Sequence, residues 1–375
     1  MKGRAMINFF PKKKRFVVTI FGMTSLAVMM LNSCGNVNDT RKHTRNCPLG
    51  TYYGVAVGND SKRSDIDAIG ATKIHIWIHW DYTEPVIKVP LLSMNDVTEE
   101  LIEQYSSGNY KGIDWSLTDS LLNLYEGLTL VAGVGSGWKV DMPFYQDKKI
   151  APEAIGEEKY LAHLYLFTRS CVRRYGDKIV GWQIENEPNV AAETETVGIR
   201  TGDAWHDKDF VTKVLQILKK AIQEEDPEAW VTINFHTDIH YEKDIQEWLP
   251  LVDVVSIDAY PNYFSGNPVN SKVVLDRVKK AKALAGEKPV IVMETGYATA
   301  PKELGYSEKK QSIYIEEVFT GIAEAGGCGV FYFKLTSAEE NRNKLIPQEN
   351  YWGLIRKDGS PKTGWHTLKK MIERR

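Results

Sequence analysis

Gly181-Trp-Gln-Ile-Glu-Asn-Glu-Pro-Asn189 is the stretch of the sequence that decides the fold. Apolar and aromatic residues lead into carboxylates and amides, and Pro188 then ends the run, because proline cannot continue a central strand. This pattern is typical of a buried strand that ends at a polar site. Pro289-Val-Ile-Val-Met-Glu-Thr-Gly296 has the same design. Two strands therefore each deliver a glutamate, Glu187 and Glu294, at their carboxyl ends.

Strand-like and helix-like segments alternate along the rest of the chain. Short apolar runs predict further strands at residues 52–57, 73–79, 128–132, 230–235, 253–258 and 329–335. Helical spacing predicts helices at residues 117–126, 157–175, 209–225, 273–285, 307–325 and 363–373. Polar residues follow most strands, whereas a doubly wound open sheet gathers its site at one crevice. The sequence therefore predicts an α/β protein with a single (β/α)8 TIM barrel.

The first 33 residues have the pattern of an export signal. A basic head precedes an almost wholly apolar run at residues 16–31, which is short for a membrane span. Leu31-Asn-Ser-Cys34-Gly follows and resembles the bacterial lipobox, in which the cysteine becomes the lipidated first residue. We therefore expect an exported protein anchored through Cys34 to the bacterial outer membrane, on its outer or periplasmic face. Simple secretion with cleavage nearby is the alternative.

Residues 34–47 are polar and predict a flexible tether, which leaves residues 48–375 as the barrel domain. Loss of the export segment would take the formal charge from −2 to about −8. A mildly acidic domain argues against nucleic acid as a partner, and we expect a monomer. Cys47, Cys171 and Cys328 are odd in number and lack ligand-like spacing, so the sequence implies neither a disulfide framework nor a zinc site.

Two carboxyl groups that face each other across a pocket suit the cleavage of a glycosidic bond. One must be protonated, so that it can give a proton to the leaving oxygen, and the other must be ionised. A negative neighbour in a partly dry site raises the pKa of the first, so one pair can hold both states near neutral pH. This chemistry needs no metal and no cofactor.

The motif Trp-Gln-Ile-Glu-Asn186-Glu187-Pro188 on the fourth predicted strand, with Val-Met-Glu294-Thr-Gly on the seventh, resembles the retaining glycoside hydrolases of clan A. Other matching pieces are His79-Trp-Asp-Tyr-Thr-Glu-Pro85, Ile257-Asp-Ala-Tyr-Pro261, Tyr351-Trp-Gly-Leu-Ile355 and Pro361-Lys362. The likeness covers about residues 53–365. It is strong evidence for the clan but not for one family, since the chain is similar to the cellulase, mannanase, xylosidase and galactanase groups together.

The resemblance implies a role for each matching residue on a β-linked glycan. Glu187 would be the acid/base and Glu294 the nucleophile. Asn186 would bind the sugar hydroxyl next to the reacting carbon, and Tyr260 would donate to Glu294. Retention further implies carboxyl groups about 5–5.5 Å apart, whereas a gap of about 6.5–9.5 Å would favour inversion.

Other residues are candidates for contact with the substrate. Trp138 lies at a glycine-rich strand end, and His79 and His236 each follow a strand. Where many clan members have a tryptophan floor, the eighth strand has Phe333, so either Phe333 or Trp352 would take that place. His75 stands where some members have an arginine, which together with Phe333 leaves the identity of the sugar open.

Several other interpretations remain open. Glu185 shares the parity of Glu187 but lies deeper, which indicates a structural role. The set His236, Asp238 and His240 would suit a metal-dependent barrel hydrolase, although that chemistry leaves the paired glutamates unused. A non-catalytic glycan-binding lipoprotein is a third possibility, although such a protein would normally have lost one glutamate. The loops at residues 86–109 and 190–205 fit either chain-end or internal cutting, and we expect internal (endo) cutting.

Overall fold

The computed structural model describes residues 47–58, 61–88, 90–135, 142–191, 202–261, 271–337 and 347–374. The export segment, Cys34 and Trp138 lie outside the described residues, so the predictions made for them stay predictions. The domain boundary at residue 48 likewise stays a prediction. No helix in the described ranges is long and apolar enough to cross a membrane.

Eight parallel strands close into a barrel in the order of the chain, and the last strand pairs with the first. The strands are β1 Tyr52–Ala56, β2 Lys73–Trp77, β3 Thr129–Val134, β4 Ile179–Asn186, β5 Trp230–His236, β6 Val254–Asp258, β7 Val290–Thr295 and β8 Gly329–Tyr332. Every strand falls within two or three residues of its predicted bounds. The predicted (β/α)8 barrel is therefore confirmed.

Helices surround the strands and connect them. They are α1 Arg63–Ile69, α2 Trp80–Thr83, α3 Glu99–Ser106, α4 Ser116–Leu124, α5 Pro152–Ile155, α6 Glu157–Tyr175, α7 Pro188–Ala191, α8 Lys208–Glu225, α9 Glu242–Trp248, α10 Lys272–Ala285, α11 Glu308–Gly321 and α12 Thr363–Glu373. Shorter 3-10 turns occupy Met94–Asp96, Gly176–Lys178, Asp203–His206, Leu249–Leu251, Lys302–Leu304 and Pro347–Tyr351. A small hairpin pairs Phe144–Tyr145 with Lys148–Lys149.

The predicted helices form where apolar residues recur on one face. The α8 residues at helical spacing are all buried against the barrel, namely Phe210, Val214, Leu215, Leu218 and Ile222. Ser307 caps α11 as predicted, because its hydroxyl accepts a bond of 3.2 Å from the Lys310 amide. The helices α1 and α9 were not predicted, since seven residues are too few to show a repeating period.

The inside of the barrel is filled by large side chains that lie over glycines of the neighbouring strand. A β-carbon added at Gly133 would stand 1.9 Å from the Trp77 ring, and one at Gly181 would stand 2.1 Å from the Trp230 ring. Only glycine lets the two strands carry an aromatic ring between them at these positions. Trp230 belongs to a packed core in the lower half of the barrel, whereas the partly exposed Trp77 ends β2 at the carboxyl ends of the strands, where sites of this fold lie.

A disulfide joins Cys47 to Cys328, across 281 residues of sequence. The sequence alone did not imply a disulfide, and this pair corrects that interpretation. The pairing depends on barrel closure, which makes β8 the neighbour of β1 and brings the segments that precede these two strands together. Cys171, the odd one of the three, is a buried free thiol.

Breaking this disulfide is expected to lower stability. Cys47→Ser should cost about 2–5 kcal/mol, which for a domain of this size corresponds to a drop in Tm of about 3–7 °C. Thermal unfolding with and without reductant would measure it. Reductant should lower the Tm of the wild type but not that of Cys47→Ser, and an equal effect on both proteins would contradict the assignment.

Candidate active site

The end of β4 contains a β-bulge that turns Asn186, the residue before Glu187, into the mouth of the barrel. Gln183 lies opposite Thr232, whereas Asn186 lies opposite Asn234, so β4 has one residue more than β5 over this interval. Side chains of a regular strand alternate, and Asn186 would then face away from the side that Gln183 faces. The extra residue brings the side chain of Asn186 to the same side as that of Gln183, which is the interior of the barrel.

The bulge places two glutamates in an uncommon backbone conformation. Glu185 has a φ of 61° and Glu187 a φ of 47°, in the left-handed region that residues with a β-carbon rarely adopt. Such strain concentrates at functional sites. Glu185 is fully buried, and its carboxylate occupies the space that a β-carbon at Gly135 would need. Its position against β3 agrees with the predicted structural role.

A second bulge precedes Glu294 on β7. Ile257 lies opposite Val292, but the next residue, Asp258, lies opposite Glu294, so Met293 is the additional residue. Without it, Glu294 would point outward toward the helices. Both strands that carry the predicted glutamates are thus adjusted by one residue just below the site.

Glu187 is 8% exposed and lies against His236 at the end of β5. His236 Nδ1 is 2.8 Å from Glu187 Oε1. Burial lowers the pKa of His236, but the charge of Glu187, the hydrogen bond to it and the charge of Asp238 outweigh burial and raise that pKa. The contact therefore favours a positively charged imidazole beside an ionised Glu187.

The backbone of His236 is fixed by Asn189 in the first turn of α7. Asn189 Nδ2 donates to the His236 carbonyl at 2.8 Å, and the His236 amide donates to Asn189 Oδ1 at 3.1 Å. These two bonds connect the loop after β4 to the end of β5. The relative position of Glu187 and His236 is therefore held by the backbone as well as by the side chains.

Glu294 accepts a hydrogen bond of 2.9 Å from the Tyr260 hydroxyl. The carboxyl group of Glu294 is surrounded by protein atoms, but part of the residue's surface stays accessible at the barrel mouth. Burial, and then the charge of Glu187, raises the pKa of Glu294 to about 8, while the Tyr260 hydroxyl and the charge of His236 oppose the rise. Glu187 and Glu294 therefore lie close enough for the charge of one to affect the other.

The Asn186 amide is oriented by two neighbours inside the barrel. Asn186 Oδ1 accepts from Gln183 Nε2 at 3.0 Å and from Asn234 Nδ2 at 3.3 Å. Gln183 and Asn234 were not predicted as parts of the site. A buried polar residue at an inward strand position was the available signal, but a single sequence does not separate it from a core residue that is satisfied locally.

Three aromatic rings form a wall beside Glu294. Trp352 stacks on Tyr260 with ring centroids 4.5 Å apart and an interplanar angle of 13°. Phe333 meets Trp352 edge-on at 5.7 Å. Trp352 is 6% exposed and Phe333 is more open. Both residues predicted as the sugar floor thus lie at the same wall, and the open face belongs to Phe333.

The remaining predicted residues are placed as follows. His79 stands at the start of α2 against the Tyr82 ring, with centroids 4.5 Å apart, and its contact with substrate stays a prediction. The three residues of the metal-site alternative are divided, because His236 faces Glu187, whereas Asp238 pairs with Arg277. Asp238 and His240 also line a separate cavity of about 430 Å³. In the described ranges no group of three or more His, Cys, Asp or Glu is arranged to hold a metal ion.

Comparison with known proteins finds similarity to glycoside hydrolases. The Glyco_hydro_42 family, described as beta-galactosidase, matches residues 204–374. Beta-galactosidase LacZ of Lactobacillus acidophilus is 26% identical over 167 residues, which are 44% of this chain and 23% of that protein. The chain thus spans about a quarter of the length of this curated relative.

Solved structures share the fold. GH5_18 from Streptomyces cattleya, in complex with Manβ1-4GlcNAc, has a TM-score of 0.61 and 15% identity, covering 86% of this chain and 80% of that one. The hyperthermophilic beta-glucosidase from Pyrococcus furiosus has a TM-score of 0.59 and 15% identity, covering 83% of each chain. The chain thus has the closed barrel fold of these clan A glycoside hydrolases, and its second half matches the model of one glycoside hydrolase family.

Proposed function

We propose that the chain is a retaining β-glycoside hydrolase in which Glu187 is the acid/base and Glu294 the nucleophile. The observation that supports it most directly is the pair itself: two glutamates from β4 and β7 share one barrel mouth and affect each other's charge. Each has its own partner, His236 for Glu187 and Tyr260 for Glu294. The predicted separation of about 5–5.5 Å belongs to this proposal.

In the first step a Glu294 oxygen attacks the anomeric carbon while the bond from that carbon to the leaving oxygen breaks. Glu187 gives its proton to that oxygen, and a glycosyl ester of Glu294 forms. Tyr260 holds the attacking carboxylate in one orientation through its hydroxyl. In the second step Glu187 takes a proton from water, the water oxygen attacks the same carbon, and the ester bond breaks to release Glu294.

The raised pKa of Glu294 is compatible with its role as an ionised nucleophile. Part of the rise comes from the negative charge of Glu187, and this charge is absent when Glu187 holds the proton that it must donate. The Tyr260 hydroxyl and the charge of His236 still favour ionised Glu294 in that state. The reactive form of the pair thus carries one proton, and activity should fall once that proton is lost at high pH.

The comparisons support the proposed substrate class, and the sequence supports the proposed location. The family match covers β5 to β8 with Glu294 and Tyr260, so β-galactosides are the first sugars to test. The exported, lipid-anchored form on Cys34 and internal cutting of a glycan are parts of the same proposal. The Cys47–Cys328 disulfide supports export, because disulfides persist in oxidising compartments.

The test combines a panel of aryl β-glycosides with a panel of polysaccharides. The anomer released first would be followed by proton NMR, and the size distribution of products would be followed over time. We expect the β anomer before mutarotation, and early products of intermediate length if cutting is internal. Early release of the α anomer would contradict a retaining mechanism, and release of single sugars alone would contradict internal cutting.

Tyr260→Phe is expected to lower kcat/KM on the order of 10²-fold. The variant loses the 2.9 Å bond to Glu294, which opposes the rise in pKa, so the acid limb of the pH profile should move to higher pH. Steady-state rates across pH would measure both effects. Tyr145→Phe, in the small hairpin, is a matched control, and an acid limb that did not move in Tyr260→Phe would contradict the role of the hydroxyl.

A further inference from the structure

A third carboxyl group, that of Asp258, lies between His236 and Glu294 in the strand order of the barrel. Asp258 is the last residue of β6 and is fully buried. It lies opposite His236 on one side and opposite Glu294 on the other. Residues in register on neighbouring parallel strands face the same side of the sheet, so all three side chains point into the barrel mouth. The mechanism above gives Asp258 no role.

Asp258 also reaches the other glutamate. Its carboxyl group lies within reach of that of Glu187 and within electrostatic range of Glu294. Two ionised carboxylates have only acceptor oxygens, so such a contact is a hydrogen bond only when one of them carries a proton. Three ionised carboxylates in one buried site would also repel one another strongly.

The surroundings select Asp258 as the group that keeps the proton. Neither of its oxygens accepts a hydrogen bond of good geometry from the described residues, and an ionised carboxylate without donors is costly to bury. The Asn234 amide is a neighbour that can donate to Asp258, but its Nδ2 also donates to Asn186 at 3.3 Å. Burial, and then the charges of Glu294 and Glu187, raise the pKa of Asp258 well above its usual value, and Asn234 opposes this only in part.

We infer that Asp258 is a positioning residue that stays protonated in the working enzyme and donates a hydrogen bond to Glu187. The bond stabilises ionised Glu187, which is the form present after the proton has been given to the leaving group and before water is activated. Because a protonated Asp258 has no charge, Glu187 is then the carboxylate whose negative charge acts on Glu294. The effect on turnover rests on the proposed function of Glu187, whereas the protonation of Asp258 does not.

The polar and charged groups around this bond come from several elements. They are Glu187 from β4, Asn234 and His236 from β5, Tyr260 from the loop after β6, Glu294 from β7 and, further out, Asp238, Arg277 and Glu349. His236 and Asp258 both lower the pKa of Glu187, since each of them favours the ionised form of that carboxyl group. Removing the donor at Asp258 should therefore raise the pKa of Glu187 and move the alkaline limb of the pH profile upward.

The test compares Asp258→Asn with Asp258→Leu in the full-length protein, using a substrate with a poor leaving group. Asparagine can still donate to Glu187, so we expect kcat within about threefold of the wild type and an unchanged alkaline limb. Leucine has similar size without a donor, so we expect kcat to fall at least about tenfold and the limb to rise on the order of one pH unit.

Other outcomes would overturn the inference. If Asp258 were ionised, both variants would remove a negative charge and both alkaline limbs would move to lower pH. If Asp258 were merely structural, the Leu variant would lose activity without any shift of the limb. Should the Leu variant fail to fold, the Asn variant decides alone, because an unchanged limb supports the inference and a lowered limb overturns it.

Infrared difference spectroscopy tests the proton without reference to turnover. The spectrum of the wild type minus that of Asp258→Asn at pH 7 should contain the C=O stretching band of a protonated carboxyl group. Its absence would overturn the inference even if the enzyme is active. Its presence in a protein that cleaves no glycoside would support the protonation of Asp258 while contradicting the proposed function.

Discussion

Glu294→Gln is expected to abolish turnover, with a loss on the order of 10⁴ to 10⁶-fold in kcat. Glutamine keeps the shape of the side chain and can still accept the hydrogen bond from Tyr260, but its amide cannot form the glycosyl ester. Substrate binding should survive, because the aromatic wall of Tyr260, Phe333 and Trp352 is unchanged. Single-turnover assays and calorimetric titration with an oligosaccharide would measure the two effects.

The same variant should be at least as stable as the wild type. Burial raises the pKa of Glu294 from 4.5 to about 8, so the folded state binds more protons than the unfolded state between those values, and stability falls as pH rises through that window. Glutamine removes this dependence, and Tm near neutral pH should stay equal or increase. Glu303→Gln, at an exposed position, is the control, and residual hydrolysis in Glu294→Gln close to the wild-type rate would contradict the assignment.

Most of the fold could be predicted because it depends on local patterns. Alternation of Ile74 and Ile76 with His75 and Trp77 predicts which face of β2 packs on the helices, and the structure buries both isoleucines. Short helices are harder, since α1 and α9 each have seven residues and little room for periodicity. The disulfide could not be predicted, because the proximity of Cys47 and Cys328 arises only when the barrel closes.

The site could be predicted in part for a similar reason. Glu187 and Glu294 stand at the ends of apolar runs followed by a proline or a glycine, which a sequence displays directly. Asp258 also ends a strand. However, its complete burial and its register with Glu294 arise only in the closed barrel, so the sequence does not display them. The two bulges are equally hidden, because a strand with one additional residue has the same composition as a regular one.

The bulges explain how the predicted site residues of β4 and β7 come to face one opening. A regular β7 would leave Glu294 one position out of register with Asp258, on the helix side of the barrel. A regular β4 would turn the Asn186 amide away from Gln183 and Asn234. Each bulge interrupts the regular hydrogen bonds between neighbouring strands. The β4 bulge also places Glu185 and Glu187 in a left-handed backbone conformation. These local costs bring the functional groups of separate strands to one opening.

Glu187→Ala is expected to have an effect that depends on the leaving group. For a substrate with a basic leaving oxygen, kcat/KM should fall about 10² to 10⁴-fold, because the group proposed to donate the proton is missing. For an activated aryl glycoside the first step needs little protonation, so kcat/KM should change far less. The glycosyl ester on Glu294 should then accumulate, since water lacks its base, and a burst of released aryl group would be seen.

Azide distinguishes an acid/base from a merely structural residue. A small anion fits the space that the Glu187 side chain leaves near His236 and attacks the glycosyl ester without base assistance. Azide should therefore restore turnover of the activated substrate in Glu187→Ala and yield a β-glycosyl azide, whereas it should do neither in Glu294→Gln. Glu185→Gln is the neighbouring control, buried on the same strand, and should lose stability rather than respond to azide. An α-configured azide product would mean that azide attacks the substrate directly, so no ester forms and Glu294 is not the nucleophile.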